Sequence, residues 1–489
     1  MRLGKEALKS YVLILLLITS VLQVGILWMR QNYGLPFNFL SEVFSSQKTD
    51  FTADGSEYFK PSKIVVSGGD ESHWIMNQGS NRYALLWKEI ESNYIKSIFQ
   101  NNLQPASSVP YSEEEWGKQV IKNAVVADFK TNIPTPLLSW FYKISAPPFD
   151  EPAGIHKLAV LPREDVNNGI TLYITDDSKI YKYIFPVQLG WITRDGYKKI
   201  FEDIRQDESL RKYMVIAESD YRNKGKSPIA QDILMFAGAS LSSYEGIRSV
   251  YCEAPEAFTV KDRKNPSELE NLSSLITAGE KEVYDWAEDV YGATVFKNLN
   301  NLYKVYGDGL LEYKYIGTPD DSEKSSVGSA FEKAVEFIGK RKNLFSGANL
   351  YFSGIQTVEK GVYEITFDYW VDSVPVFVDY KSNDRDGVQL SHAVTIRANS
   401  KRVTSAWWII KRFEQGKEDK YNINFADFLD NTFTDYSKLK NDKDFFISDI
   451  SISYSIQPYL EKQSMEPVWV VSAKGQKNYV YPMQKREGG

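Results

Sequence analysis

The amino-acid sequence predicts an α+β protein in which a single N-terminal transmembrane helix is followed by three extracytoplasmic α+β domains with mainly antiparallel sheets. Three observations support this prediction. An uncharged apolar run, YVLILLLITSVLQVGILW, occupies residues 11–28. Downstream, short segments rich in β-branched and aromatic residues alternate with glycine and asparagine turns, which is typical of antiparallel strands. Between them lie segments whose apolar residues recur at the 3.6-residue period of an amphipathic helix.

The apolar run is long enough to cross a bilayer, since at about 1.5 Å per residue it makes roughly 27 Å of helix. Arg2, Lys5 and Lys9 precede it, which predicts a cytoplasmic N-terminus and places the rest of the chain outside the cytoplasm. A cleaved signal peptide is the alternative. Its apolar region is usually about 7–15 residues long and ends at an A-x-A-like site, whereas this run ends in LWMR. We therefore expect an uncleaved anchor in the cell membrane.

Two polar residues of the predicted helix indicate a partner. Thr19 and Gln23 are four residues apart, so they share one helical face. A glutamine amide in lipid is costly unless it finds a hydrogen-bond partner, and it stabilises helix association by about 1 kcal/mol. The alternative is that Gln23 lies close enough to the interface to reach water. We favour the partner helix and predict Thr19 and Gln23 as a partner-binding face.

Composition limits the remaining possibilities. The 489 residues exceed what one core usually holds, and 43% hydrophobic residues supply material for several packed units. A net charge of −6 without a basic patch argues against nucleic acid as a partner. The single cysteine, Cys252, cannot form an intramolecular disulfide, which fits an exported protein of a Gram-positive bacterium. His73, His156 and His392 lie far apart in sequence, which leaves little for a histidine-rich metal site.

Turn-rich and proline-rich segments divide the chain. The segment between residues 35 and 44 has one apolar face, which either lies on the outer leaflet or packs on the first domain. The predicted divisions are a cytoplasmic N-terminus (1–10), a transmembrane helix (11–28), a juxtamembrane segment and linker (29–60), and three domains (61–152, 153–318 and 326–489).

The elements follow from local patterns. In the first domain we predict strands at 62–67 and 137–142 and helices at 82–102 and from Ser112, whose Glu115 completes a capping-box pattern. In the second we predict strands at 158–161, 170–175 and 180–187, helices at 194–206 and around 284–287, and a hairpin at 302–316. In the third we predict helices at 329–342 and 425–436 and strands at 350–352, 362–370, 374–380, 392–398, 405–410, 450–456 and 468–471.

Motifs for chemistry are few. Neither a G-x-S-x-G elbow nor a P-loop is present, and the Gly-Asp-Gly at 307–309 fits a hairpin turn better than a dinucleotide fingerprint. The calcium-like DRDG at 384–387 lacks the first and last ligands of an EF-hand loop. We therefore predict no cofactor and no metal. Trp407 and Trp408 could stack on sugar rings, but adjacent strand residues face opposite sides, so at least one belongs to the core.

Three passages resemble the YycH family, whose members are membrane-anchored regulators of the WalK (YycG) sensor kinase in Gram-positive bacteria. Residues 302–313 (LYKVYGDGLLEY) are similar to that family's Y-x-D-G…L-x-Y hairpin. Residues 350–355 (LYFSGI), with VPVF at 374–377, are the second passage. The closing MEPVWVV at 465–471 resembles the family's terminal Pro-x-Trp strand. Residues 221–260 match no feature of the family that we can name.

The resemblance implies a regulator that is not an enzyme. Such proteins associate with a related single-pass protein, YycI, and with the kinase, largely through transmembrane helices, and so adjust cell-wall metabolism. Two other classes stay open. An anchored wall-acting hydrolase would need a cleft with paired carboxylates, and a module that binds a wall ligand would need a concave aromatic pocket near Trp407 or Trp370.

Overall fold

The structure is a computed structural model that describes residues 55–69, 71–144, 151–162, 169–186, 194–219, 229–236, 243–261, 265–279, 282–318, 325–381, 389–429, 445–457, 460–474 and 478–486. The predicted cytoplasmic N-terminus, the predicted transmembrane helix and most of the juxtamembrane segment lie outside these residues. None of the described helices has the length and apolar character required to cross a bilayer.

The first nine strands form one sheet with the order β3-β7-β6-β5-β4-β1-β2-β8-β9. All of its strand pairs are antiparallel. The strands are β1 (Lys63–Gly68), β2 (His73–Met76), β3 (Ser107–Pro110), β4 (Asn123–Pro134), β5 (Gly154–Pro162), β6 (Gly169–Thr175), β7 (Lys179–Pro186), β8 (Tyr213–Val215) and β9 (Leu234–Phe236).

A second, twelve-stranded sheet has the order β11-β12-β13-β14-β21-β20-β16-β17-β23-β25-β26, with β15 also paired to β16. Its one parallel pair among the described strands joins β17 to β23. β22, β10 and β24 form a three-stranded sheet, and β18 pairs with β19. The strands are β10 (Tyr244–Glu253), β11 (Asp285–Glu288), β12 (Thr294–Lys297), β13 (Asn301–Val305), β14 (Leu310–Tyr315), β15 (Asn349–Glu359), β16 (Val362–Val371), β17 (Val374–Val378), β18 (Tyr380–Lys381), β19 (Gln389–Leu390), β20 (Val394–Ala398), β21 (Val403–Ile409), β22 (Arg412–Asn422), β23 (Ile447–Ile456), β24 (Lys462–Met465), β25 (Pro467–Ala473) and β26 (Tyr479–Pro482).

Ser80 and Ser112 cap the starts of two helices, and the sequence predicts the cap at Ser112. Ser112 Oγ accepts the Glu115 N–H at 3.2 Å, and Ser80 Oγ accepts the Tyr83 N–H at 3.1 Å. A π-helical segment (Ile90–Ile95) joins the first two helices. The helices are α1 (Asn81–Glu89), α2 (Lys96–Gln100), α3 (Glu113–Val120), α4 (Thr135–Phe141), α5 (Arg194–Arg205), α6 (Pro266–Ile276), α7 (Val327–Gly339) and α8 (Phe425–Asp427).

An α+β fold with mainly antiparallel sheets is thus confirmed, but two elements were assigned wrongly. Residues 137–142 were predicted as a strand, but α4 includes residues 137–141 and Tyr142 caps its end. Pro136 fits the first turn of a helix, and the helical conformation buries Leu137 and Leu138. Residues 284–287, predicted within a helix, include β11, which pairs with β12 in the register Trp286↔Phe296. In both segments, tertiary packing overrides the local pattern.

The sheets do not follow the predicted domain boundaries. β4, which precedes the boundary at residue 152, pairs with β5, which follows it, in the register Val125↔Val160. β14, which precedes the boundary at 318, pairs with β21 in the register Leu310↔Ile409. Hydrogen-bonded strands therefore lie on both sides of each boundary, so each large sheet includes residues of two predicted domains.

One face of the twelve-stranded sheet is covered by α7. Phe331 of α7 packs against Phe367 of β16, with ring centroids 5.9 Å apart. α4 lies against the start of α7, where a Cβ on Gly328 would come within 2.4 Å of the Trp140 side chain. Glycine therefore permits this close approach of the two helices. The opposite face of β15, β16, β20 and β21 forms the candidate site.

Candidate functional site

The predicted partner-binding residues, Thr19 and Gln23, lie outside the described residues, so their role stays a prediction. The same holds for residues 384–387, where the sequence resembles a calcium loop. Within the described parts of the chain, no group of three or more His, Cys, Asp or Glu side chains is placed to hold a metal ion.

A concave surface of about 560 Å³ lies over β15, β16, β20 and β21, and we call it the groove. Strand alternation explains its floor, because the register aligns Thr366, Thr395 and Trp407 on one face of three adjacent strands. The lining residues are Ser353, Gly354, Ile355, Gln356, Glu364, Thr366, Gln389, Leu390, Ser391, His392, Thr395, Arg397 and Trp407.

The tryptophan pair separates as predicted. Trp408 is fully buried, and its Nε1 donates to Tyr369 Oη at 2.8 Å. Trp407 faces the groove and is only partly buried. The expectation that at least one tryptophan belongs to the core is confirmed, and the other contributes an aromatic wall to a concave surface.

An ion pair forms one end of the groove. Arg397 Nε donates to Glu364 Oε2 at 2.8 Å, and Gln356 Nε2 donates to Glu364 Oε1 at 2.7 Å. The Arg397 guanidinium also lies 5.6 Å from the centroid of the Trp407 ring, within cation–π range. Both oxygens of Glu364 therefore have partners, while the Arg397 side chain is 45% exposed. A ligand could exchange with these solvent-facing donors.

His392 lies at the other end of the groove, where one of its ring nitrogens contacts two oxygen atoms. Its Nδ1 is 2.9 Å from Asp368 Oδ2 and 3.3 Å from Ser353 Oγ. Asp368 Oδ1 also accepts the Ala393 N–H at 3.1 Å. Burial by itself lowers the pKa of His392, but the Asp368 carboxylate outweighs it and raises that pKa above its ordinary value.

This arrangement differs from a serine–histidine–aspartate relay. In such a relay the aspartate holds one ring nitrogen and the serine donates to the other, so that the imidazole can take the serine proton. Here Asp368 and Ser353 share Nδ1 of His392. The imidazole therefore bridges two oxygens without forming the path from hydroxyl to carboxylate that activates a nucleophile.

The two carboxylates of the groove are each held by neighbouring side chains. Glu364 and Asp368 are four residues apart on β16, which separates their Cα atoms by about 13 Å along the strand. Glu364 is bonded to Arg397 and Gln356, and Asp368 is bonded to His392. Both carboxylates therefore have partners within the groove itself.

A second cleft of about 340 Å³ lies where the nine-stranded and twelve-stranded sheets meet, and Trp370 lines it. Lys130 Nζ lies 3.1 Å from Asp449 Oδ2, which links the two sheets by an ion pair. Burial raises the pKa of Asp449, but Lys130 and Lys63 outweigh that effect and hold it below its ordinary value. This cleft is lined by both charged side chains and aromatic ones such as Trp370 and Phe377, whereas the aromatic wall of the groove is Trp407.

The other two histidines each have their own carboxylate partner. His73, fully buried on β2, lies 2.8 Å from Glu218 Oε2. His156 Nδ1 on β5 lies 2.6 Å from Asp177 Oδ1. His156 and His392 both line the second cleft, whereas His73 is buried and does not line it.

Several polar residues of the groove were not found from the sequence. Glu364, Thr366 and Asp368 alternate with apolar residues on β16, and that period of two was a usable signal for a polar face. Arg397 was not detectable in this way, because its role depends on the pairing of β20 with β16 and β21.

The hairpin quoted for the family resemblance has a structural explanation. Gly309 adopts φ +100°, and a Cβ there would lie 2.4 Å from Ile410 O. The buried Lys411 donates to Asp308 O at 2.7 Å and also to Leu460 O. Burial lowers the pKa of Lys411. These contacts hold the turn in place, and the Asp308 carboxylate accepts the Leu310 N–H at 3.2 Å, which accounts for the Asp-Gly pattern.

Comparisons with known proteins locate the fold. No family model matches the chain, and no curated protein matches it. The crystal structure of YycH from Bacillus subtilis matches with a TM-score of 0.50 and 11% identity, covering 87% of this chain and 96% of that one. An uncharacterized protein from Eubacterium rectale matches with a TM-score of 0.32 and 15% identity, covering 53% and 87%, which is too weak to support an argument. The chain therefore has a YycH-like fold.

Proposed function

We propose that this protein is a membrane-anchored, extracytoplasmic regulator and not an enzyme. In this proposal its predicted transmembrane helix associates with a WalK-like sensor histidine kinase and a YycI-like single-pass protein. The association would adjust two-component signalling that controls cell-wall metabolism. The observation that supports the proposal most is the YycH-like fold, which extends over 87% of the chain.

The groove supports a role without catalysis. His392 contacts both of its oxygen partners through Nδ1, and Glu364 and Asp368 are each bonded to a neighbouring cationic or imidazole side chain. What the groove offers is an aromatic wall beside hydrogen-bonding side chains, which is the chemistry of recognition.

The amide of Gln23 is the proposed means of association. An amide in hydrocarbon gains when a neighbouring helix supplies a hydrogen-bond partner. A coupling of about 1–3 kcal/mol between helix contact and kinase state changes an equilibrium about 5- to 150-fold, which is enough for regulation.

The test moves this amide around the helix in the full-length chain. Gln23→Leu is expected to reduce co-purification with the kinase. The double variant Val21→Gln/Gln23→Leu keeps one amide but shifts it by about 200° around the helix, because each residue turns about 100°. We expect this variant to fail as well, whereas Thr19→Val should have a smaller effect.

An exchange of the predicted transmembrane helix provides the control. Replacing residues 11–28 with an unrelated apolar span should leave the exterior folded but remove the effect on kinase output. If kinase output and co-purification stay at the level of the unaltered protein in both experiments, association through this helix is contradicted.

A second candidate function is the binding of a wall glycan, and the exposed face of Trp407 favours it. Sugar rings stack on aromatic faces, and Gln356, Thr366 and Arg397 would supply hydrogen bonds beside the ring. This function is compatible with regulation, since a bound glycan could report the state of the wall to the kinase.

A tetramer of N-acetylglucosamine is a suitable probe for this candidate. We expect calorimetric binding that Trp407→Ala abolishes and that Tyr251→Ala, which changes a 54% exposed tyrosine outside the groove, preserves. Equal affinity in the unaltered protein and the Trp407 variant would exclude the groove as the glycan site.

A further inference from the structure

Exposed apolar side chains are concentrated at one edge of the twelve-stranded sheet. Trp286, on the edge strand β11, is 48% exposed, and Val283 just before it is 87% exposed. Val290 and Leu299, in the next two turns, are 92% and 91% exposed. Single exposed apolar residues are ordinary, but several at one edge are typical of an interaction surface. We call these four residues the β11 patch.

The backbone of β11 is open on one side. β11 pairs with β12, and no described strand pairs with its other side. Asp289 donates its N–H to Ala293 O at 3.0 Å, towards β12. Alternate residues of an antiparallel strand direct their backbone N–H and C=O groups to the same side. Those of Ala287 therefore also point to β12, and those of Trp286 point outward. An added strand would meet these groups.

The side chains of the edge predict an apolar neighbour. Trp286 lies opposite Phe296, which lies opposite Tyr303, which lies opposite Tyr313. Phe296 and Tyr303 are each 2% exposed, so this aromatic row is buried until it reaches Trp286. A residue on an added strand beside Trp286 would extend the row, which favours an apolar side chain at that position.

The charges of the edge predict basic residues at the alternate positions and disfavour a second copy of the chain. β11 reads Asp-Trp-Ala-Glu and has no basic residue. Antiparallel pairing of two copies through the outward groups of Trp286 would put Asp285 opposite Ala287, so that four carboxylates would share one pair of short strands without a basic residue to compensate them. Lysine or arginine opposite Asp285 would instead be complementary.

The exposed edge of the nine-stranded sheet is built differently. β3 carries two serines and ends in Pro110, which cannot donate a ladder hydrogen bond. β11 contains no proline, and its central tryptophan is exposed. The two edges thus differ in the features that prevent strand addition.

We propose that the β11 edge binds an extended segment of a partner protein by strand addition, and that this segment alternates apolar with basic residues. The partner's apolar residues would lie beside Trp286, and its basic residues would lie opposite Asp285. This interaction involves the exterior of the protein and does not depend on the transmembrane helix.

The test uses the full-length chain in nanodiscs and an acetylated nine-residue peptide of alternating lysine and valine. We expect saturable binding that weakens with salt, together with new protection of the Trp286 amide against hydrogen exchange. Trp286→Ala and Asp285→Lys should each weaken binding about tenfold or more. Ile184→Ala, a change at a 60% exposed residue of the other sheet, should leave binding unchanged.

Two control peptides and one control measurement complete the test. A peptide with glutamate in place of lysine, and one with a central proline, should not bind. Equal binding of either one overturns the proposal, as does unchanged affinity in both edge variants. Protection of the Trp286 amide before peptide is added would show that the edge is already covered by another part of the chain or by a second copy, and that too would overturn it.

Discussion

Two regions of the molecule place cations beside carboxylates on a β-sheet, and they differ in access to solvent. In the nine-stranded sheet, Lys157 Nζ lies 2.6 Å from Asp232 Oδ2, and the two side chains are 12% and 11% exposed. Trp116 Nε1 also donates to Asp232, at 2.9 Å. We call these three residues the buried ionic cluster. In the groove, by contrast, the Arg397 side chain that pairs with Glu364 is 45% exposed.

The difference in solvent exposure between the buried ionic cluster and the groove indicates a different role for each. Burial alone lowers the pKa of Lys157, but Asp232 and Asp128 raise it well above its ordinary value. The charges of the buried ionic cluster are thus committed to one another, and removing one leaves another unpaired. Charges in the groove can exchange their partners for water or a ligand at little cost. The buried ionic cluster is therefore structural, and the groove is available for binding.

The largest expected effect is in the buried ionic cluster. Lys157→Met should lower the free energy of unfolding by about 3–5 kcal/mol, because it leaves the Asp232 carboxylate without its cation. Lys179→Met, which breaks the exposed Lys179–Glu151 pair of the same sheet, should cost less than about 1 kcal/mol. Urea unfolding of both variants measures the comparison. Equal losses would mean that burial does not distinguish the two pairs.

The second largest effect on the free energy of unfolding is expected from acid, which should destabilise the nine-stranded sheet. Burial raises the pKa of Asp128, but Lys63 and Lys157 outweigh it and hold that pKa well below its ordinary value. A lowered folded pKa means that the contribution to stability is complete above the unfolded pKa and is lost as the pH falls through the folded pKa. We expect a loss of about 2 kcal/mol or more between pH 5 and pH 2, measured by urea unfolding. In Asp128→Asn this part of the pH dependence should be absent.

The groove should respond to pH in the opposite direction and more weakly. The pKa of His392 is raised, so its contribution to stability is complete below its ordinary pKa and is lost as the pH rises through the raised value. We expect less than about 1 kcal/mol, because the His392–Asp368 pair is partly exposed. NMR titration of the ring should show a lower pKa in Asp368→Asn. An unchanged ring pKa in that variant would contradict the role of Asp368.

The smallest effect on stability is expected at the aromatic wall. Trp407→Ala should change the free energy of unfolding by less than about 1 kcal/mol, since the side chain is only partly buried and lines the groove. Trp408→Ala, at the adjacent and fully buried position, should cost about 3–5 kcal/mol. Thermal unfolding of the two variants is the measurement. Similar losses for both would show that Trp407 belongs to the core and not to a binding surface.

Elements with a clear internal pattern were predictable from the sequence. The hairpin of β13 and β14 follows from strand-forming residues around a Gly-Asp-Gly turn, and the start of α3 follows from Ser112 and Glu115. β22, which reads RFEQGKEDKYN, has no such pattern and was missed. It forms because β10 supplies its hydrogen bonds. That pairing also accounts for part of residues 221–260, to which the sequence comparison could assign nothing.

The candidate site was predictable only in part. The separation of Trp407 from Trp408 required nothing beyond strand alternation. The contacts of Trp407 with Arg397, and of His392 with Asp368 and Ser353, required knowledge of which strands are neighbours. Pairing between strands distant in sequence depends on whole surfaces that match, and a local window contains only one of the two surfaces.

The sequence by itself determined those local elements that have a clear internal pattern, and it determined the prediction of an anchor at residues 11–28, because periodicity, capping and a continuous apolar run are properties of neighbouring residues. Only the tertiary structure decided that two large sheets cross the predicted domain boundaries. It also decided that one charged cluster is buried while another lines an open groove. Burial is set by what packs from elsewhere in the chain, so the same residue types form a buried cluster in one sheet and line an open groove in the other.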